Sequence, residues 1–429
     1  MGLRDLVTDT RPLRNDHFRR LWIAEIVTVI GAQLTVVAIP AQIYAQTGSS
    51  AYVGLTGVFG LVPLVVFGLY GGSLADAFDR RTILQVTTAG LILTSGLFWL
   101  QAASGGMDVW ALLVLFAVQQ AFFAVNMPTR GAVLPRLLSA EELPSANSLH
   151  YTVAMAGGIV GPLIAGILIP ITGFSWLYFA DTVCLFATLY AVVRLPRLPV
   201  EGVTQNPGLR SVIDGFVYLR GQPVLLMSFL VDIIAMVFGM PRALFPEMAH
   251  VDFNGPAEGG LAFALLFAAI PAGSVVGGVF SGWVSRVSRQ GLAVVWCIVV
   301  WGVSITVFGI AVGLAEHAQA AMLFVAVVAL AVGGAADMAS AAMRTSMLQS
   351  AADDSVRGRL QGVFTVVVAG GPRIADTLHG AVAVYIGAAA TAAGGGVLVI
   401  IGVVIASIAV PSFVRYRVVT AAQTSSPRT

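Results

Sequence analysis

The chain contains no lysine; all 23 of its basic residues are arginine. A P-loop needs a Gly-rich turn followed by a phosphate-binding Lys, so a fused P-loop ATPase is excluded. Uphill work by such a chain would draw on an ion gradient; the missing Lys itself is accounted for more simply by a GC-rich genome. Charge is scarce as well, at 10% of residues against about a quarter in soluble domains. Only two cysteines are present. Cys184 and Cys297 fall inside apolar stretches in opposite halves, which suits small buried hydrophobes and argues against a disulfide framework. A myristoylation signal is lacking, because Leu6 stands where Ser or Thr is required. The first apolar run follows a polar segment and has no clear small-residue cleavage site, so it reads as a retained helix. No nucleophile–base constellation and no His/Cys metal spacing are found. That argues against an enzyme and gives no reason to expect a metal or other cofactor.

What the chain has is apolar residues, 58% of the total. A bilayer core takes roughly 20 of them per helix. Twelve such stretches can be placed, at about 18–45, 52–75, 82–103, 108–127, 145–170, 173–194, 223–249, 259–285, 290–314, 319–348, 359–387 and 391–411. The boundary between the last two is indistinct. None shows the polar alternation of a barrel strand. The expected class is an all-α polytopic membrane protein with twelve transmembrane helices in two pseudo-symmetric six-helix bundles. The N-terminal bundle takes residues 1–194 and the C-terminal bundle 223–429. Between them, 195–222 reads as a cytoplasmic linker with a short amphipathic helix.

Arginines occupy alternate gaps between these stretches. Arg80 and Arg81, Arg130 and Arg136, the group Arg194 to Arg220, Arg286 and Arg289, Arg357 and Arg359, and Arg415 and Arg417 are separated by gaps with none. Basic residues stay on the cytoplasmic side. Strict alternation predicts an even number of spans with both termini cytoplasmic, in the cytoplasmic (inner) membrane.

The halves also repeat. Arg130 and Leu134 match Arg344 and Leu348; Glu141 and Glu142 match Asp353 and Asp354. Ala156-Gly157-Gly158 matches Ala369-Gly370-Gly371, and Pro63 matches Pro271. Internal repeats of this kind are typical of secondary transporters with a midplane site.

Between the second and third stretches runs Gly71-Gly72-Ser73-Leu74-Ala75-Asp76-Ala77-Phe78-Asp79-Arg80-Arg81. It resembles the cytoplasmic signature of the major facilitator superfamily, with Gly72, Leu74, Asp76, Arg80 and Arg81 fitting. Ala77 replaces a common basic residue and Asp79 a common Gly. The resemblance implies a cytoplasmic latch of Gly72, Asp76, Arg80, Arg81 and Arg130, in which Asp76 pairs with Arg130 or caps a neighbouring helix. In the fifth stretch, Gly157, Gly161, Pro162 and Gly166 resemble the antiporter motif of drug exporters, without its upstream glycine. Spacing by four places Gly157, Gly161 and Ala165 on one face, where small residues allow close crossing. The chain most resembles the enterobactin exporter branch, which includes macrolide-type efflux proteins. The likeness runs through Phe18-Arg19, Val37 to Ile43, Arg242 to Pro246, Met347-Leu348-Gln349 and Gly358-Arg359, and it implies proton-driven export of a small organic molecule. Glu25 departs from it, standing where a basic residue is expected.

An ionisable group at bilayer depth costs about 2.5–3.5 kcal/mol on insertion scales and calls for a reason. Asp232 falls near mid-depth of the seventh span, one that lines the central cavity in this superfamily, and is the first proton-coupling candidate. Asp376, Glu25, Asp337 and Asp181 are the others. Glu25 suits a structural or a functional role equally. Asp181, on a usually peripheral sixth span, reads rather as structural, and Asp337 reads as a partner for Arg344. Arg373 and Asp376 lie three apart on one helix face; they form either a neutralised structural pair or one that a proton or an anion can break. His379 sits one turn further. Arg242 and Glu247 mark the outer end of the seventh span, as a site for an anionic ligand or as a gating salt bridge.

The expectation is a proton-coupled antiporter exporting a small amphipathic molecule, siderophore-like; general multidrug or macrolide-type efflux, uptake, and a non-transporting sensor or scaffold are the alternatives. Its partners would be the small-molecule substrate, protons and the lipid bilayer, with no nucleic acid, and a monomer would suffice.

Overall fold

The protein's structure, a computed structural model, describes residues 9–105, 108–198, 217–351 and 354–417; the side chains of 69–77, 285 and 349–366 lie outside that description. Most of the expected linker therefore lies outside the described residues.

Apolar runs of bilayer length fold as helices because only an intra-segment ladder satisfies every backbone N–H and C=O in hydrocarbon. In chain order these are α1 (Asp16–Thr47), α2 (Ser50–Ala77), α3 (Arg80–Ala103), α4 (Val109–Leu137), α5 (Leu143–Thr172), α6 (Phe174–Val193), α7 (Pro223–Gly239), α8 (Leu261–Val279), α9 (Gln290–Gly313), α10 (Gln319–Ala351), α11 (Asp354–Ile386) and α12 (Ala388–Ala409). No strand occurs among the described residues. Among the described residues, eleven segments, with α7 counted through Asp252, are long and apolar enough to cross a bilayer. The twelfth helix, α11, falls outside that set; it has comparable length but carries Arg373 and Asp376 in its apolar part.

Polar residues set the helix starts. Asn15 accepts from the N–H groups of His17 and Phe18 and donates through Nδ2 to the Leu137 carbonyl at 2.8 Å, capping α1 and tying it to the end of α4. Asp79 caps α3 by accepting from Arg81 N at 2.8 Å. The indistinct boundary of the last two stretches falls at Gly387, whose φ of 82° only glycine adopts readily.

Packing sorts the chain into two compact units, one of Met1–Leu209 with Asn254–Ala268, the other of Arg210–Phe253 with Ala269–Thr429. In the first, α1 packs on α5 and α6, α3 on α4 and α6, and α2 on α4. In the second, α9 packs on α10 and α12, and α7 on α11 and α12. Lipid tails are as apolar as Leu, so close backbone approach rather than water exclusion holds such helices together. Gly157 and Gly161 of α5 abut Val29 and Gln33 of α1, with no room for a Cβ; Gly273 of α8 abuts the Ala331 carbonyl of α10. Pro63 and Pro271 lie inside α2 and α8, the second helices of their halves.

One span departs from the sequence expectation. The run 223–249 reads as a single helix, but α7 ends at Gly239. Met240 and Pro241 leave the helix, and the chain continues as a 3-10 turn (Arg242–Leu244), a short helical turn (Phe245–Glu247) and a π turn (Met248–Asp252). Pro241 cannot donate a backbone hydrogen bond, which is the local cause of the interruption.

Candidate transport site

The buried ionisable residues gather into clusters, each within one unit. The most enclosed joins α7 to α10. Asp232 is 3% exposed and Arg344 6%. Arg344 donates from one terminal nitrogen to Asp232 Oδ1 at 2.6 Å, while its other terminal nitrogen lies 3.9 Å from Asp337 Oδ1. Arg344 Nε donates to Ser340 Oγ at 3.2 Å, which fixes the guanidinium plane one turn back along α10. Asp232 Oδ2 is buried with no hydrogen-bond partner among the described residues. Two carboxylates thus share one guanidinium, and one acceptor oxygen is left over. Such a group is balanced in charge when it holds one proton, and carries an excess negative charge when it does not.

The second cluster sits where α7 breaks. Asp376 of α11 accepts from the Ala243 N–H and lies within electrostatic reach of both Arg373 and Arg242. One turn along, the His379 ring pairs through Nε2 with the Phe238 carbonyl at 3.1 Å. Arg373, Asp376 and His379 are thus gathered at the break together with Arg242. Glu247, in the short turn that follows, is partly buried.

The third cluster lies in the first unit. Glu25 of α1, 9% exposed, pairs with His150 Nδ1 of α5, and Arg130 of α4 is within its electrostatic reach. Phe18 packs edge-on against the His150 ring, with centroids 5.6 Å apart. His150 is absent from the sequence-derived candidates. The available signal was indirect: a buried Glu requires a partner, and His150 is the histidine inside the fifth stretch.

Asp181 has a different setting. Its Oδ2 accepts from Thr35 Oγ1 at 2.7 Å and Ser95 Oγ at 2.9 Å, so one carboxylate clips α6 to α1 and α3. Two uncharged hydroxyls fix its position without offering a charge to exchange. Asp181→Leu is therefore expected to remove the acceptor shared by Thr35 and Ser95 and to destabilise the fold by about 1–3 kcal/mol, with transport per folded molecule intact. Melting temperature and flux in reconstituted vesicles, measured on the same preparation, check both halves of that statement.

In the signature loop, Asp79 has two tasks: it caps α3, and its Oδ2 accepts the Leu198 N–H at 3.1 Å. Arg81 donates to the Val193 carbonyl at 2.8 Å. The loop after α2 is thereby fastened to the end of α6. Gly72 and Asp76 belong to α2, but their side chains, and with them the expected Asp76–Arg130 pairing, lie outside the described residues. In α5, Pro162 and Gly166 are buried, and the Gly166 carbonyl accepts from Gly260 N at 2.9 Å.

These clusters sit on helices whose order and packing can be compared with known proteins. The sequence profile of the transmembrane secretion effector family, MFS_3, matches residues 7–427. The chain belongs to that family. It is 27% identical over 391 residues to the enterobactin exporter EntS of Shigella boydii serotype 18, covering 90% of each chain. Among solved structures it is similar to the POT family transporter PepTSo, with a TM-score of 0.74 at 13% identity over 93% of this chain and 98% of that one. It is also similar to a bacterial homologue of the iron transporter ferroportin, with a TM-score of 0.69 at 14% identity over 93% and 98%. The fold is that of the major facilitator transporters. The protein is a multi-pass membrane transporter of a small molecule, and its family and relatives are transporters rather than enzymes.

Proposed function

We propose that this member of the secretion effector family is a proton-coupled antiporter of the cytoplasmic membrane. It exports a small amphipathic organic molecule of siderophore-like type. The observation that carries the coupling is the group Asp232–Arg344–Asp337: two carboxylates on one buried guanidinium, with an unpartnered carboxylate oxygen. A non-transporting scaffold gains nothing from a charge group that is costly to bury and one proton short of neutral. Two six-helix bundles, 1–194 and 223–429, alternate access in this reading, and the monomer is the working unit. Support for the direction and cargo comes from the enterobactin exporter at 27% identity.

The cargo is tested by comparing the metabolites secreted under iron limitation by cells with and without the gene. Loss of one secreted metal chelator is the expected result. Drug hypersensitivity with an unchanged secreted profile would replace the siderophore-like cargo by general multidrug or macrolide-type efflux.

Orientation has its own test. Because arginines hold alternate gaps on the cytoplasmic side, a reporter fused after Arg428 is expected in the cytoplasm. A tag at Asn254, in the exposed turn before α8, is expected outside. Finding both on one side of the membrane would refute the arrangement.

A further inference from the structure

Where α3 begins and α6 ends, three arginines are drawn together by backbone contacts rather than by acids. Arg81 donates to the carbonyl of Val193, the last residue of α6, at 2.8 Å. Arg194 follows, with its guanidinium over the Tyr190 ring, 5.4 Å from the centroid. Arg197 is brought back to α3 by its neighbour Leu198, whose N–H donates to Asp79 Oδ2 at 3.1 Å. The Asp79 carboxylate is spent on backbone, since its other oxygen accepts from the N–H groups of Arg81 and Thr82. None of the three arginines is in an ion pair among the described residues. Arg81 Nε is buried and has no hydrogen-bond partner there.

The adjoining seam faces hydrocarbon. An apolar groove between α3 and α6 is lined by Leu93, Leu97, Phe179, Val183 and Phe186, among others. Towards the arginines the same two stripes continue at helical spacing, through Val86 on α3 and through Tyr190 and Val193 on α6, all exposed. Val86 and Phe186 lie about 8–12 Å along the helix axes from Arg81 and Arg194. That is within one leaflet, half of a core about 30 Å thick.

The preference of basic residues for one side of the membrane accounts for their presence here, not for their arrangement. Arg11 and Arg19, near the start of α1, each hold a carboxylate at 2.7 Å; the α3/α6 trio holds none. A guanidinium held over an aromatic ring keeps the N–H fork at its edge free. Pinned to Tyr190 and to the Val193 carbonyl, Arg194 and Arg81 have already given up rotamer freedom that binding an anion would otherwise cost. Their forks match a phosphate. A phosphate at headgroup level, carried on acyl chains that cover the exposed stripe, satisfies the charge and the apolar surface together.

We propose that the α3/α6 end is a binding site for one anionic glycerophospholipid. Arg81, Arg194 and Arg197 hold its phosphate, and its acyl chains lie on Val86, Phe186, Tyr190 and Val193. Tyr190 is also a positioning residue for Arg194. The site is separate from the carboxylate clusters and independent of the direction and cargo of transport.

Native mass spectrometry of the full-length protein tests this by counting the lipid retained on release from phosphatidylcholine nanodiscs that contain a minor share of phosphatidylglycerol. The wild type is expected to retain phosphatidylglycerol in preference to phosphatidylcholine. The triple variant Arg81→Gln, Arg194→Gln, Arg197→Gln should lose at least about tenfold in that retention, because each basic residue at a membrane surface adds to the attraction. Arg11→Gln, Arg14→Gln, Arg19→Gln removes equal charge near the start of α1 and should stay within about twofold of wild type. Tyr190→Leu keeps every charge but removes the platform, and should fall between the two. If the first triple does not fold, Arg194→Gln alone, at an exposed position, carries the test with a loss of about fivefold. Excess inorganic phosphate should leave the lipid bound. Equal losses in the two triples would mean diffuse surface charge, and displacement by phosphate a site for soluble anions. Either result overturns the proposal, as does a wild type without preference for phosphatidylglycerol.

Discussion

Arg344→Leu is expected to destabilise the protein by about 3–5 kcal/mol and to end transport. The magnitude follows from what is left behind. Asp232 loses its 2.6 Å partner and Asp337 its neighbour at 3.9 Å, in a setting where Asp232 is 3% exposed. Removing one member of a buried pair is costly because the other charge remains uncompensated, whereas replacing the pair by apolar groups of similar volume is often neutral. The double variant Arg344→Leu with Asp232→Leu should therefore regain most of the lost stability while remaining inactive. Thermal melting of the purified variants reads the first effect and flux in proteoliposomes the second. A single variant within about 1 kcal/mol of wild type would show that the guanidinium is not what neutralises these acids.

Asp232→Asn separates coupling from structure. The amide has the size of the carboxylate and can still accept from Arg344 through its carbonyl oxygen, so assembly should survive. What it cannot do is alternate between charged and neutral forms. Export driven by a pH gradient should fall to the uncoupled leak, while exchange of labelled for unlabelled cargo at equal pH on both sides should continue. Retention of normal pH-driven export would make Asp232 a structural anchor and move the proton to Glu25 with His150, or to Asp337 or Asp376.

How much of this could be read beforehand depends on the range of the physics. Hydrocarbon imposes a length on every span, so the stretch written 319–348 returns as Gln319–Ala351 and 145–170 as Leu143–Thr172. Arg373, Asp376 and His379 share a helix face by spacing alone, and their common neighbourhood follows. Pairings between helices leave no such trace. Nothing in the spacing of Asp232 and Arg344, or of Glu25 and His150, says that α7 meets α10 there, or α1 meets α5. The break in α7 was hidden for another reason: hydrophobicity continues through Met240, Ala243, Leu244 and Phe245, and only Pro241 marks the change. Asp79, which looked like a departure from a common glycine, has the more specific task of capping α3 and holding Leu198.

The separation of Asp232 from Arg344 along the chain also bears on how the protein is made. Asp181 on α6 meets hydroxyls from α1 and α3, both already synthesised when it emerges. Asp232 emerges about 110 residues ahead of its arginine. At ribosomal speeds of about 5–20 residues per second, the seventh helix waits roughly 5–20 s for its counter-charge. During that interval the helix must stay within reach of water or of the insertion machinery. In this order of synthesis α7 carries an acid without its counter-charge until α10 is made, whereas the acid of α6 meets its partners at once.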